Sequence, residues 1–111
     1  MSIQFDGVND LENEVYGLYE QGQKVGQIKV RLDMCTIMDI FIKPDLRRQG
    51  RGTKLVRFIE ALAFQKGCKK VRVKAIKNTP EAKGLFVSCG YHLYPNKYGE
   101  YDGKRTLRRG E

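Results

Sequence analysis

The chain has 111 residues, which sets the size of one domain, residues 1–111, with a single modest core. Its 41% hydrophobic content is sufficient for a globular fold, and no run of about 18 apolar residues is present to span a membrane. The formal net charge of +8 favours an anionic partner: a phosphorylated cofactor, a nucleic acid or an acidic protein face.

The N-terminus, Met1 to Asp6, lacks the charged-then-apolar pattern of a signal peptide. Glu14–Glu20 and Lys24–Leu32 alternate apolar and polar residues around a Gln21–Gly22–Gln23 turn, which predicts an antiparallel hairpin. After a short connection at Asp33–Met34, Cys35 to Ile42 is nearly continuous in apolar residues. That predicts a central strand covered on both faces. Thr53 to Lys66 has helical spacing, with Leu55, Ile59 and Leu62 on one stripe and Gly67 as the C-terminal cap. Lys70 to Ala75 alternates again, in a pattern that suits the solvent face of an edge strand. Thr79–Pro80 opens a short helix that ends near Cys89–Gly90. Tyr91–Tyr94 and Tyr101–Arg108 form a last strand pair. The order is β-β-β-α-β-α-β-β, an α/β architecture with a mixed sheet. Cys35, Cys68 and Cys89 are odd in number and never in C-x-x-C, so they read as free thiols in a reducing, cytoplasmic setting, with no metal site.

The most informative stretch is Asp39 to Leu55. A strand ends at Lys43–Pro44, a basic turn follows through Arg47, Arg48, Gln49, Gly50, Arg51 and Gly52, and a helix opens at Thr53. Glycines let the backbone come close to a ligand, and successive N–H groups at a helix N-terminus converge on an anion. Neither the P-loop nor the G-x-G-x-x-G signature is present, since Leu55 stands where the latter needs a small residue.

Arg47-x-x-Gly50-x-Gly52 resembles the R/Q-x-x-G-x-G/A motif of the GNAT superfamily of N-acetyltransferases. The strand before it, the helix behind it, Cys89–Gly90–Tyr91 at the end of the short helix and Asn78 upstream of that helix extend the resemblance over residues 14–108. The resemblance implies a GNAT-like mixed, mostly antiparallel sheet with flanking helices. It implies acetyl-CoA as co-substrate, held by Ile40, Phe41 and Ile42 along the pantetheine arm and by Arg47 to Thr53 around the pyrophosphate, with Asn78 close by. It implies an amine acceptor that attacks the thioester directly. Two helices that the family carries between its first strands are absent, because residues 10–13 leave room for a turn only. An acceptor face left open in this way suits a protein lysine or N-terminus better than a small amine, and a second copy of the chain would help to cover it.

The catalytic groups are not settled by the resemblance. Phe86 stands where family members often carry a tyrosine acid, which leaves Tyr91 or Tyr94 as substitutes. Thr36 and Met38 occupy the positions of a base. Asp39 is the one carboxylate on that strand, and strict alternation turns it away from those positions unless a bulge intervenes. His92 is the sole histidine. Cys89 has nothing nearby in sequence to lower its pKa. Two alternatives remain open: a catalytically silent acetyl-CoA-binding module, and a nucleic-acid-binding domain. The second would use Lys69, Lys70, Arg72, Lys74 and Lys77, the tail cations Lys104, Arg105, Arg108 and Arg109, and the tyrosines between 91 and 101.

Overall fold

The computed structural model describes residues 1–108. Seven strands form one sheet: β1 (Ser2–Val8), β2 (Glu14–Glu20), β3 (Gln23–Arg31), β4 (Thr36–Ile42), β5 (Lys70–Ile76), β6 (His92–Pro95) and β7 (Tyr101–Thr106). Two helices, α1 (Arg51–Gln65) and α2 (Pro80–Ser88), follow β4 and β5. The spatial order is β1-β2-β3-β4-β5-β7-β6, antiparallel throughout except between β4 and β5. That exception follows from α1, a crossover long enough to return the chain in the same direction. This is the mixed, mostly antiparallel sheet with flanking helices that the sequence predicts. No described helix is long and apolar enough to cross a membrane.

Local chemistry sets the helix ends. Gly67 adopts φ +93 and closes α1 with two reversed bonds, Gly67 N–H to the Phe64 carbonyl and Cys68 N–H to the Ala63 carbonyl. Thr79 caps α2 by accepting from the Ala82 N–H, with Pro80 in the first turn. α1 begins at Arg51, two residues earlier than its apolar stripe indicates, because Gly50 in the left-handed region (φ +85) starts it.

Both helices lie on the same face of the sheet. Leu85 of α2 packs at Gly52 of α1, and Arg57 of α1 donates to the Cys89 carbonyl just past α2, at 3.1 Å. The core fills the space between: Leu18, Ile28, Val30 and Ile37 from the sheet, Leu55, Val56 and Ile59 from α1, Phe86 from α2, and Val71 and Val73 from β5. No described helix covers the opposite face, because residues 9–13 form only a turn, held by bonds from the Leu11 and Asn13 N–H groups to Asn9 Oδ1.

Four expectations are corrected. β1 adds a strand ahead of the predicted order; Ile3 and Phe5 pair against Leu18 and Tyr16, a short alternation that Gly7 (φ +101) interrupts. β4 is central but covered on one face only, which leaves Asp39 and Phe41 exposed on the other. β5 is not an edge strand, since it lies between β4 and β7. Finally, Cys35 and Cys68 form a disulfide, with Cα atoms 6.0 Å apart, so only Cys89 is a free thiol. The two cysteines lie 33 residues apart in sequence and meet because α1 carries the chain back beside the start of β4. With one disulfide and one free thiol, the cysteines do not point to a reducing compartment. The predicted tail cation Arg109 lies outside the described residues.

Candidate active site

β4 and β5 are paired over only two residues, Thr36 with Arg72 and Ile37 with Val73. Beyond that point they separate. Both strands carry an irregularity there. In β4, Lys29 opposes Asp39 and Val30 opposes Ile37, so Met38 is an extra, bulged residue. In β5 the register shifts between Val73 and Ile76, and Ala75 takes φ +57. That left-handed residue is pinned by Asp102 of β7, whose Oδ1 accepts the Ala75 N–H at 3.0 Å and the Asn96 amide at 3.1 Å.

The separation opens a cleft of about 720 Å³. Its walls are β4 from Ile37 to Ile42, β5 from Val73 to Ile76 with Lys77 just past it, the turn before α1, and α2. The backbone edge of β4 past Ile37 has no ladder partner on this side. It offers N–H and C=O groups at strand spacing to an amide-bearing ligand.

The turn before α1 closes one end. Arg48 (φ +63) and Gly50 (φ +85) are both left-handed, which folds the backbone into a concavity. Gly50 provides no side-chain cap, and the first turn of α1 holds no acidic residue. The first intrahelical bond here runs from the Lys54 N–H to the Gly50 carbonyl, at 3.1 Å. The N–H groups of Arg51, Gly52 and Thr53 are therefore available to an anion, and the helix dipole adds to the attraction. A Cβ on Gly52 would come within 3.0 Å of Leu85, so the α1 backbone sits tight against α2 at the cleft floor.

The three arginines of the turn have different duties. Arg51 is locked in a two-pronged pair with Glu20, at 2.8 and 2.9 Å, and also donates to the Leu46 carbonyl. Hydrogen bonding to Arg51 holds the Glu20 carboxyl below its ordinary range. Arg47 folds back, donating to the Ile42 carbonyl at 2.8 Å and covering the Phe41 ring. Only Arg48 reaches outward; it is 80% exposed and holds Glu81 loosely, at 3.5 Å. The backbone, more than the guanidinium groups, thus forms the anion cradle.

Of the sequence-predicted residues, Asp39, Ile40, Phe41, Ile42, Arg47, Arg48, Gly50, Arg51, Gly52 and Thr53 line the cleft. Gln49 and Asn78 do not. Gln49 accepts from Arg51 on the outer surface, and exposed Asn78 accepts from Lys83. The Met38 bulge gives Asp39 the company strict alternation denies it, placing it on the exposed face of β4. Sequence reasoning missed Glu100 and named Lys74 and Lys77 only for a nucleic-acid surface; all three also line the cleft. Glu100 comes from the β6–β7 connection, and no local pattern marks it.

The tyrosine substitutes lie elsewhere. Tyr91 is buried, and its hydroxyl donates to Glu60 at 2.8 Å. Glu60 also receives Arg57 at 2.8 Å and Arg105 at 3.5 Å. Burial first, then the Glu60 charge, pushes the Tyr91 hydroxyl far above its ordinary range. Tyr94 and His92 stand exposed on β6, away from the cleft. Cys89 is buried, and burial raises its thiol pKa, which leaves it inert packing. Phe86, fully buried, forms part of the cleft wall. Among the described residues no group of three or more His, Cys, Asp or Glu could hold a metal ion.

Residues 2–91 match the model of the acetyltransferase (GNAT) family. Thialysine N-epsilon-acetyltransferases of Bos taurus and Sus scrofa are each 33% identical over 52 residues, which is 47% of this chain and 31% of theirs. The matched stretch is thus less than a third of the length of those curated relatives. Among solved structures, PaiA N-acetyltransferase from Thermoplasma acidophilum, in complex with coenzyme A, superposes with a TM-score of 0.73. Its identity is 13%, over 84% of this chain and 60% of that one. A Bacillus anthracis protein assigned as a streptothricin acetyltransferase, in complex with acetyl coenzyme A, gives 0.72 at 16% identity, over 86% and 63%. The family match spans most of the chain, and the chain belongs to the GNAT acetyltransferase family.

Proposed function

We propose that the chain is an N-acetyltransferase that moves an acetyl group from acetyl-CoA to a primary amine by direct attack. The observation that carries this reading is the parting of β4 from β5 after Ile37, with the open N-terminus of α1 at one end of the gap. The fit to the co-substrate rests on these features: an unpaired strand edge for the amides of the pantetheine arm, and free N–H groups with no acidic residue in the first turn of α1 for the pyrophosphate. Ile40 to Ile42 would hold the arm, and Arg48 with the backbone of Gly50, Arg51, Gly52 and Thr53 the pyrophosphate. When bound, acetyl-CoA supplies an activated acetyl thioester.

The chain's own contribution is positioning and charge. N–H groups on the β4 edge are oriented before reaction toward the region where an oxyanion develops. Asp39 and Glu100 are the cleft carboxylates not engaged with an arginine, since Glu81 is held by Arg48. Either attracts an ammonium and can accept the proton that must leave it before nitrogen attacks. No tyrosine, histidine or cysteine lines the cleft among the described residues, which leaves the ammonium groups of Lys74 and Lys77, or water, to protonate the departing thiolate. The acceptor side has no covering helix, which favours a protein lysine or N-terminus over a small amine.

A second reading, a catalytically silent acetyl-CoA-binding module, is favoured by one observation. Phe86 forms the cleft wall, and the hydroxyl of Tyr91 is committed to Glu60. A turnover assay separates the two. Purified protein, acetyl-CoA and a panel of lysine peptides, free N-terminal peptides and small amines should give free CoA together with an acceptor 42 Da heavier, the mass of an added acetyl group. Binding of acetyl-CoA without turnover on any acceptor selects the silent module.

A further inference from the structure

The face of the sheet without a helix is basic beside the cleft. Val71, Val73 and Ile76 of β5 point into the core, so Lys70, Arg72 and Lys74 point to the opposite face, where all three are exposed. Register extends the stripe sideways, because Arg72 stands directly opposite Lys104 of β7. None of these four cations has an ion pair among the described residues. The far half of the same face is balanced: Lys24 pairs with Asp6 at 2.8 Å and Arg31 with Asp33 at 3.2 Å. Like charges directly opposite on neighbouring strands destabilise a sheet, and an anionic occupant relieves that repulsion.

The stripe runs into the cleft, where Lys74 and Lys77 form part of one wall. The same cleft carries two carboxylates without an arginine partner, Asp39 and Glu100, besides Glu81, which Arg48 holds. A phosphate backbone entering there would be repelled by both. A peptide satisfies both signs when its amine enters the cleft and its acidic side chains lie along β5.

We propose that this face docks an extended acidic segment of a protein acceptor, with glutamate or aspartate side chains on Lys70, Arg72 and Lys104 and the receiving amine in the cleft. The proposal deepens the acetyl-transfer reading and rests on it. Alternate side chains on β5 repeat every ~6.6–6.8 Å, the same repeat as alternate side chains of an extended peptide, so acidic residues at every second position match the stripe.

The test uses three eleven-residue peptides with blocked N-termini and one central lysine, flanked by glutamate, by alanine or by arginine. Acetylation of the glutamate peptide should exceed that of the alanine peptide about tenfold in kcat/KM at low ionic strength, and the advantage should shrink to about twofold in half-molar salt. The double variant Arg72→Gln/Lys104→Gln should bring the ratio close to one. A wild-type ratio of one or less, or a ratio untouched by the variant, overturns the proposal. The salt dependence of wild-type protein decides the matter if the variant does not fold. Anisotropy of the same peptides, labelled, and of a single-stranded oligonucleotide of equal charge, separates the face from the chemistry. Glutamate-selective binding lost in the variant, with no acetylation of any peptide, upholds the face and removes lysine as the receiving amine. Tighter binding of the oligonucleotide than of the glutamate peptide overturns the proposal in favour of a nucleic-acid surface.

Discussion

The two ends of the β4–β5 pair are built from the same strands and do opposite things. At the closed end, Cys35 is bonded to Cys68, its carbonyl accepts the Arg72 N–H at 2.8 Å, and Thr36 and Ile37 are buried against Arg72 and Val73. At the open end, from Met38 onward, the strands no longer pair, and a bulge in each turns them apart. The closed end uses covalent and packing energy to fix where the strands meet. The open end leaves backbone groups unpaired, a cost that a bound ligand offsets. The fold thus places rigidity next to unmet hydrogen-bonding capacity, the arrangement a pre-organised site needs.

The closed end is broken by Cys35→Ser/Cys68→Ser. A loop of this length contributes about 3–4 kcal/mol of stability through the unfolded chain. The variant's urea midpoint should fall accordingly, while acetyl-CoA affinity of the still-folded protein should change little, because neither cysteine lines the cleft. A loss of affinity that matches the loss of stability would make the two ends one unit.

The open end is broken by Gly50→Glu. A Cβ there meets no atom within 4 Å, but φ +85 costs a non-glycine residue about 1–2 kcal/mol, and the glutamate adds a negative charge beside the anion cradle. Acetyl-CoA affinity should fall about a hundredfold, or ~2.7 kcal/mol, with the circular dichroism spectrum retained.

The parting itself is sharpened by Asp102→Ala. Removing the acceptor of the Ala75 N–H and of Asn96 should cost about 1 kcal/mol of stability and weaken acetyl-CoA binding a few-fold as the β5 bulge loosens. Thermal melts and titrations of the same preparation check both.

The smallest effect concerns the Arg51 brace. The Glu20 carboxyl is held low in the folded state, so its contribution to stability is present above about pH 4.5 and lost as the pH falls through the folded value. The gap in urea midpoint between wild type and Glu20→Gln, present at pH 7, should close progressively below about pH 4.5.

The comparison also shows which parts of the molecule were legible in sequence. The open end was largely readable, because the turn, its glycines and the helix behind it are contiguous, and Thr79–Pro80 and Gly67 announce their caps locally. The closed end was not. The Cys35–Cys68 bond depends on where α1 returns the chain, and an odd cysteine count pointed the other way. β1 escaped notice because Gly7 interrupts an alternation carried by Ile3 and Phe5 alone. The Arg51 guanidinium looked like a phosphate ligand until the fold brought Glu20 from β2 beside it, while the Arg51 backbone stays in the cleft wall. Tyr91 looked like an acid until its hydroxyl proved to be held by Glu60, 31 residues earlier in the chain. Lys74 and Glu100 reach the cleft from separate elements, and their positions follow only from the sheet order.

The most direct test of the open end is titration calorimetry of wild-type protein with acetyl-CoA, and with CoA and ADP as controls. Acetyl-CoA and CoA should bind well above ADP, because the unpaired β4 edge takes the pantetheine arm that ADP lacks. Equal binding of all three, or no binding by protein shown to be folded, would contradict the account and reduce the Arg47–Gly52 turn to a connection between a strand and a helix.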